Sequence, residues 1–287
     1  MQAEFEEKTY ENFFNGELDN KYKSFIYPIG QVAEGILGFD CCAYTKEDKE
    51  LWKILESPPL EGLEFKKIAE KMEKNLNCRI KNIPYEMRIN LLFQYKRPEY
   101  IETYKHKEWN NWRKPYFRYT IHHKQQNLLM EIDKYFGNNV LTIYASPAFY
   151  TQKDLIEAKN KGQIIIFSNF CEVSKLDGHN MNTYVKEGTH SIACSRPKFI
   201  KNLNLKDVLD IEKHIENFSD ELYKKNKNFI IKFGKGILFV IQKNKYFQEL
   251  TNHLNTQCQL FNQYELLNSY IILNEVKKMV GLQWLIT

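Results

Sequence analysis

The sequence predicts an α/β fold, in which helices alternate with the strands of a mixed central sheet. An apolar run at 89–95 fits a buried strand, the apolar spacing over 125–136 fits an amphipathic helix, and 140–144 fits a second strand. A helix at 152–160 and a strand at 164–167 continue the alternation. Because a crossover helix joins parallel strands, this order favours a partly parallel sheet flanked by helices.

The chain before these strands is predicted to be mainly helical. Aromatic residues recur at helical spacing within residues 1–28, and a short helix at 31–37 ends at Gly38. The next residues, 39–44, fit a strand. From 46 to about 88, apolar residues follow helical periods that two prolines interrupt, so we interpret this segment as a helical insertion.

The pattern changes after residue 200. The segments predicted there are a helix at 205–223, a strand pair around 234–236 and helical periodicity over 246–279. We therefore divide the chain into a domain at 1–200, which carries the insertion, and an α+β region at 201–287 packed on its core.

Composition excludes several classes of protein. Hydrophobic residues make up 43% of the 287 residues and charged residues 27%, which is typical of a folded globular chain. The longest apolar run, 237–241, is far shorter than the roughly 18 residues that span a bilayer. The acidic N-terminus lacks the pattern of a secretory signal and no Cys-x-x-Cys occurs, so we expect a cytoplasmic protein with free thiols.

Positive charge is concentrated inside the chain. Residues 88–124 carry nine lysines and arginines against three glutamates, and aromatic residues are interleaved with them. Cations neutralise phosphates and aromatic rings stack on unpaired bases, so this segment predicts DNA binding. The candidate contacts are Arg97, Lys105, Lys107, Arg113, Lys114 and Arg118. The alternative is a surface loop whose aromatic residues pack inward and whose cations face water.

Four residues suggest phosphodiester chemistry. Glu34 lies on the early helix, Asp40 enters the strand 39–44, and Gln94 and Lys96 end the apolar strand. Mg²⁺ prefers oxygen ligands, which carboxylates and a side-chain amide supply. Residues two apart on a strand share a face, so Lys96 would lie beside Gln94 and orient the attacking water. The alternative is structural: Asp40 starts a strand and Lys96 is a solvated strand end.

These residues resemble the PD-(D/E)XK nuclease superfamily, in particular its Mrr-like branch, in which Gln often replaces the last acid. The resemblance spans about residues 30–145 and implies a restriction-endonuclease-like core. It implies that Glu34, Asp40 and Gln94 hold Mg²⁺ or Mn²⁺ and that Lys96 completes the catalytic set. It also implies a glutamine on the next helix, which Gln125 or Gln126 would provide beside the nucleic acid.

The activity implied is that of a Mg²⁺-dependent DNA endonuclease in prokaryotic antiphage defence or restriction, with a partner ATPase or helicase or a homodimer as its assembly. The arrangement requires 39–44 and 89–95 to lie side by side as neighbouring strands. Two departures favour an alternative, a noncatalytic nucleic-acid-binding or regulatory subunit. The gap from Asp40 to Gln94 is long, and Gln94 lacks the negative charge of an acid, which weakens metal binding.

Overall fold

The structure is a computed structural model of the chain. It describes the following residues: 1–22, 65–188, 190–201, 204–205, 209, 219–248, 251–252, 254–255 and 262–286. They fall into two compact units. Unit 1 comprises the described parts of 1–26, 88–213 and 277–287, and unit 2 those of 27–87 and 214–276. This division differs from the predicted boundary at residue 200, because the described part of the insertion groups with 214–276.

The described helices and strands confirm an α/β chain. The helices are α1 Glu7–Tyr22, α2 Phe65–Lys81, α3 Trp109–Trp112, α4 His123–Phe136, α5 Gln152–Lys161, α6 Asp220–Lys243 and α7 Glu265–Val280. The strands are β1 Asn90–Tyr95, β2 Glu99–Ile101, β3 Tyr116–Thr120, β4 Val140–Pro147, β5 Ser168–Glu172, β6 Met181–Tyr184, β7 His190–Cys194, β8 Lys198–Lys201 and β9 Leu282–Ile286. None of the helices in these ranges is long and apolar enough to cross a membrane.

A mixed four-stranded sheet in unit 1 has the order β5-β4-β1-β9. β1 and β4 are parallel, as the strand, helix, strand pattern predicts, and both outer pairs are antiparallel. β9 pairs with β1 from Asn90 to Gln94. Both edges of β1 are therefore occupied, so the expectation that 39–44 is the neighbouring strand of β1 over these residues is wrong. The residues 39–44 themselves lie outside the described part of the chain.

A second, five-stranded antiparallel sheet in unit 1 has the order β2-β3-β6-β7-β8. After β1, the basic segment at 88–124 supplies β2, α3 and β3, so it is more than the surface loop considered as its alternative. The predicted strand at 164–167 is also wrong, because these residues form turns before β5. The Glu17 carboxylate accepts a hydrogen bond from the backbone N–H of Ile164 at 2.6 Å and thereby stabilises the turn.

α1 forms much of the core of unit 1. Its aromatic stripe packs against the apolar side chains of β1, with Tyr10 and Tyr95 ring centroids 5.7 Å apart and those of Phe14 and Phe93 5.5 Å apart. The predicted helical spacing at the N-terminus is thus confirmed. This packing fixes α1 over β1 and positions the polar residues at the end of that strand.

Unit 2 contains α2, α6 and the part of α7 up to Val276. The strand pair predicted around 234–236 is wrong, because these residues lie inside the continuous helix α6. The two glycines suggested a turn, but Gly234 serves close packing. A Cβ atom built on it would lie 2.5 Å from the Ser269 Cβ, so no larger residue fits without movement.

Candidate functional site

The site begins at the carboxyl end of β1, where Gln94 and Lys96 share one face. Tyr95 points to the opposite face, is buried in the core and donates a hydrogen bond to Asn15 Oδ1 at 2.6 Å. The Lys96 backbone N–H donates to the Ala145 carbonyl at 2.9 Å, which extends the contact with β4 beyond the strand. Strand alternation therefore places the two polar side chains as the sequence predicts.

Gln125 joins these two side chains. Its carbonyl oxygen Oε1 accepts a hydrogen bond from Lys96 Nζ at 2.8 Å, and its Nε2 donates to Gln94 Oε1 at 2.8 Å. The same Nε2 donates to the Val280 carbonyl at 2.7 Å, just before β9. The three side chains form one hydrogen-bonded group, which we call the Gln-Lys cluster.

Gln126, the other glutamine predicted for this role, is used elsewhere. It is buried, donates to the Val173 carbonyl at 3.0 Å and accepts from the Tyr144 hydroxyl at 2.7 Å. Successive helix residues point about 100° apart, so only one of the two can face the end of β1. Gln126 ties α4 to the sheet, and its side-chain amide is already engaged.

Burial controls the electrostatics of Lys96. Only 6% of the residue is exposed, so the solvated strand end considered as its alternative is wrong. Burial lowers the pKa of its ammonium from the ordinary 10.5 to about 8, while the Glu7 carboxylate opposes the shift. The ammonium also lies 5.4 Å from the centroid of the Tyr144 ring. At neutral pH Lys96 is a buried cation that loses its proton easily.

Two glutamates of α1 contribute charge to this region. Glu7 attracts Lys96, accepts from the Arg97 backbone N–H at 3.3 Å, and has a pKa raised mainly by burial. Glu11, one turn later, is buried and forms ion pairs with Lys8 at 2.8 Å and Lys277 at 3.6 Å. Neither glutamate was predicted as a site residue. The spacing of four residues, which puts them on one helix face, was the available signal.

The described residues do not complete a metal site. They contain no group of three His, Cys, Asp or Glu side chains that could hold an ion. Gln94 Oε1 offers one neutral oxygen, and Leu282 of β9 lies opposite Gln94. Glu34 and Asp40, predicted as the carboxylate ligands, lie outside the described residues. A magnesium site at this position depends on those two carboxylates.

Two of the six basic residues predicted to contact nucleic acid are engaged within the protein. The Arg97 guanidinium binds the Ala3 carbonyl and pairs with Glu6 at 3.0 Å. Arg118 pairs with Glu99 and Glu108, and its side chain is 16% exposed. Arg97 thus holds the N-terminal residues in place, and Arg118 holds the connection between β2 and β3. The other four cations, Lys105, Lys107, Arg113 and Lys114, are exposed.

Comparison of the chain with protein-family models, with curated proteins and with solved structures finds no match. The resemblance to PD-(D/E)XK nucleases therefore depends on the motif residues of the sequence.

Proposed function

We propose that the chain is a Mg²⁺-dependent DNA endonuclease with a restriction-endonuclease-like core. The observation that supports the proposal is the Gln-Lys cluster at the end of β1, a strand that runs parallel to β4. Gln94 and Lys96 share a face, Gln125 from the following helix binds both, and burial lowers the pKa of Lys96 to about 8. A lysine in this state suits proton transfer near neutral pH.

Each residue of the cluster has a distinct role in this proposal. Lys96 orients the attacking water and stabilises the charge that develops on the phosphate. Gln125 fixes the Lys96 ammonium and the Gln94 amide relative to each other. Mg²⁺, held by Glu34, Asp40 and the Gln94 oxygen, would supply Lewis-acid activation when bound. Because β4 and β9 occupy both edges of β1, this site requires Asp40 to reach the end of β1 without pairing with that strand. A role in antiphage defence or restriction, with a partner ATPase or helicase, belongs to the same proposal.

A second candidate is a noncatalytic nucleic-acid-binding subunit with the same core. It is favoured by β9, which occupies the edge of β1 where the motif's acidic strand was expected. In this candidate the Gln-Lys cluster is a structural link between β1, α4 and the C-terminal strand.

Cleavage of supercoiled plasmid in Mg²⁺ or Mn²⁺ separates the two candidates. The assay compares the whole wild-type chain with Lys96→Met and Asp40→Asn, and uses Lys153→Met on α5 as a matched control because Lys153 is exposed. The endonuclease proposal expects nicked or linear DNA from the wild type and the control, and none from the two site variants or in EDTA.

Two results would count against the endonuclease. Cleavage that survives both site substitutions would show that other residues carry the chemistry. DNA that is bound by all four proteins but cut by none, with any co-purifying partner present, would favour the noncatalytic subunit.

A further inference from the structure

The connection between β2 and β3, residues 102–115, is held to the five-stranded sheet by side-chain contacts, and we call it the basic arm. Trp112 Nε1 donates to Thr183 Oγ1 on β6 at 3.0 Å, and the Trp109 ring packs 6.4 Å from that of Tyr116. Glu108 accepts from the Tyr116 hydroxyl at 3.3 Å and pairs with Arg118 at 3.3 Å. Most aromatic residues of this segment therefore secure the arm to the sheet.

The outer side of the basic arm carries a different set of side chains. Lys105, Lys107, Arg113 and Lys114 are exposed, and so is Tyr104, at 80% of its surface. Glu102 is the exposed acid of the arm, because Glu108 is directed to Arg118. An aromatic ring is thus presented in water next to a surplus of positive charge.

Arg113, one of the exposed cations of the basic arm, has an unusual backbone conformation. It ends α3 with φ 51° and ψ 30°, a left-handed conformation, and its N–H donates to the Trp109 carbonyl at 2.7 Å. Among the described residues it is the one non-glycine residue with positive φ. Glycine favours this position at a helix end. The Arg113 side chain is exposed at this position, where its backbone conformation is less favourable than that of glycine.

We propose that the basic arm binds unpaired nucleotides of the nucleic-acid substrate, with Tyr104 stacking on a base and the four cations contacting phosphates. The inference rests on the proposed function for its substrate class, and adds that the substrate includes a single-stranded stretch. Cations alone would bind any polyanion, whereas an exposed ring in the same segment selects bases that are free to stack.

Fluorescence anisotropy in EDTA tests binding without cleavage. The probes are a labelled single strand of about 20 nucleotides, longer than the roughly 4–16 nucleotides that such modules cover, and the same strand in a duplex. Lys105→Ala/Lys107→Ala is compared with Lys198→Ala/Lys201→Ala on β8, the opposite edge strand of the same sheet. We expect the slope of log affinity against log salt for the single strand, which is negative, to become less steep by about 1.4 in the arm variant and to stay unchanged in the β8 variant.

Tyr104 has a matched control in Phe199 of β8, which is 62% exposed and also lies next to a lysine. Tyr104→Ala should weaken single-strand binding roughly 5- to 150-fold and leave duplex binding unchanged, whereas Tyr104→Phe and Phe199→Ala keep wild-type affinity. Arg113→Gly should bind more weakly while unfolding at the same or a higher temperature, because glycine suits the backbone there.

Equal losses in the β8 and arm variants, or equal affinity of every variant for the duplex and the single strand, would overturn the inference. Equally tight binding of polyglutamate would identify a site for acidic proteins instead. The proposed function fails separately: single-strand binding through the arm with no cleavage in Mg²⁺ would refute the endonuclease and leave this inference standing.

Discussion

The Gln-Lys cluster and the basic arm place the same residue types in opposite surroundings. Lys96 is 6% exposed, its ammonium donates to Gln125, and burial lowers its pKa to about 8. The lysines and arginine on the outer side of the arm are exposed to water. A buried amine is suited to proton transfer, whereas exposed cations attract phosphates. The degree of burial, and not the residue type, therefore decides whether a lysine suits proton transfer or phosphate binding.

The largest expected difference between the two regions concerns cleavage. Lys96→Met should lower kcat roughly 10²–10⁴-fold, the usual contribution of a positioned proton-transfer group. Lys105→Met/Lys107→Met should instead raise KM and leave kcat near that of the wild type. Steady-state cleavage of a labelled oligonucleotide measures both constants. If Lys96→Met and Lys105→Met/Lys107→Met lowered kcat equally, the assignment of chemistry to the Gln-Lys cluster and of binding to the basic arm would be wrong.

The pH dependence of stability should reveal the burial of Lys96. Between its folded pKa of about 8 and its ordinary value of 10.5, the unfolded chain binds a proton that the folded chain has lost. Stability therefore rises with pH across this window, by about 3 kcal/mol for a shift of this size. Urea unfolding of the wild type and of Lys96→Met at several pH values isolates this contribution. Parallel curves for the two proteins would contradict the buried position.

The two adjacent glutamines of α4 offer a sharper comparison. Gln125→Leu and Gln126→Leu should each lower the free energy of unfolding by about 2 kcal/mol, because each leaves buried polar partners unsatisfied. Only Gln125→Leu should lower the pKa of Lys96 further, since it removes an oxygen that binds the charged form. NMR titration of the Lys96 side chain measures this. A pKa shift in both variants would indicate general disruption.

The smallest expected difference lies within the basic segment. Arg118→Met should lower the free energy of unfolding by about 1–2 kcal/mol, because Glu99 and Glu108 lose their partner in a partly buried site. Lys105→Met should change it by less than about 0.5 kcal/mol, as expected for an exposed side chain. Thermal or urea unfolding checks both values. A larger loss of unfolding free energy in Lys105→Met than in Arg118→Met would contradict a structural role for Arg118 and a solvent-exposed position for Lys105.

Local sequence patterns predicted the helices and strands whose apolar residues recur at regular helical or strand spacing. The α1 stripe, the apolar run of β1 and the helix α4 all appear where the spacing indicates. The same spacing placed Gln94 beside Lys96, whereas a glutamine on the following helix was implied by the resemblance to PD-(D/E)XK nucleases. The features predicted from spacing depend on two- and 3.6-residue repeats, which the chain carries locally.

Features that depend on distant contacts could not be predicted in this way. β9 pairs with β1 although the two strands are far apart in the sequence. No local pattern indicates that β9, and not the residues 39–44, is the partner of β1. The glycines of α6 suggested a strand pair, because the residue that Gly234 contacts, Ser269, lies on another helix. Glu7 approaches Lys96 only because α1 packs on the sheet.

Manganese binding tests most directly whether the Gln-Lys cluster belongs to a metal-dependent active site, because it requires neither a substrate nor a partner subunit. Mn²⁺ shares the oxygen-ligand preference of Mg²⁺ and is followed by titration of the whole chain. The variants are Asp40→Asn and Gln94→Leu, with Asp177→Asn as a control because Asp177 is exposed. We predict one bound ion in the wild type and in the control, and an affinity at least tenfold weaker in the two site variants. No binding by the wild type, or binding that is unchanged in both site variants, would contradict the account.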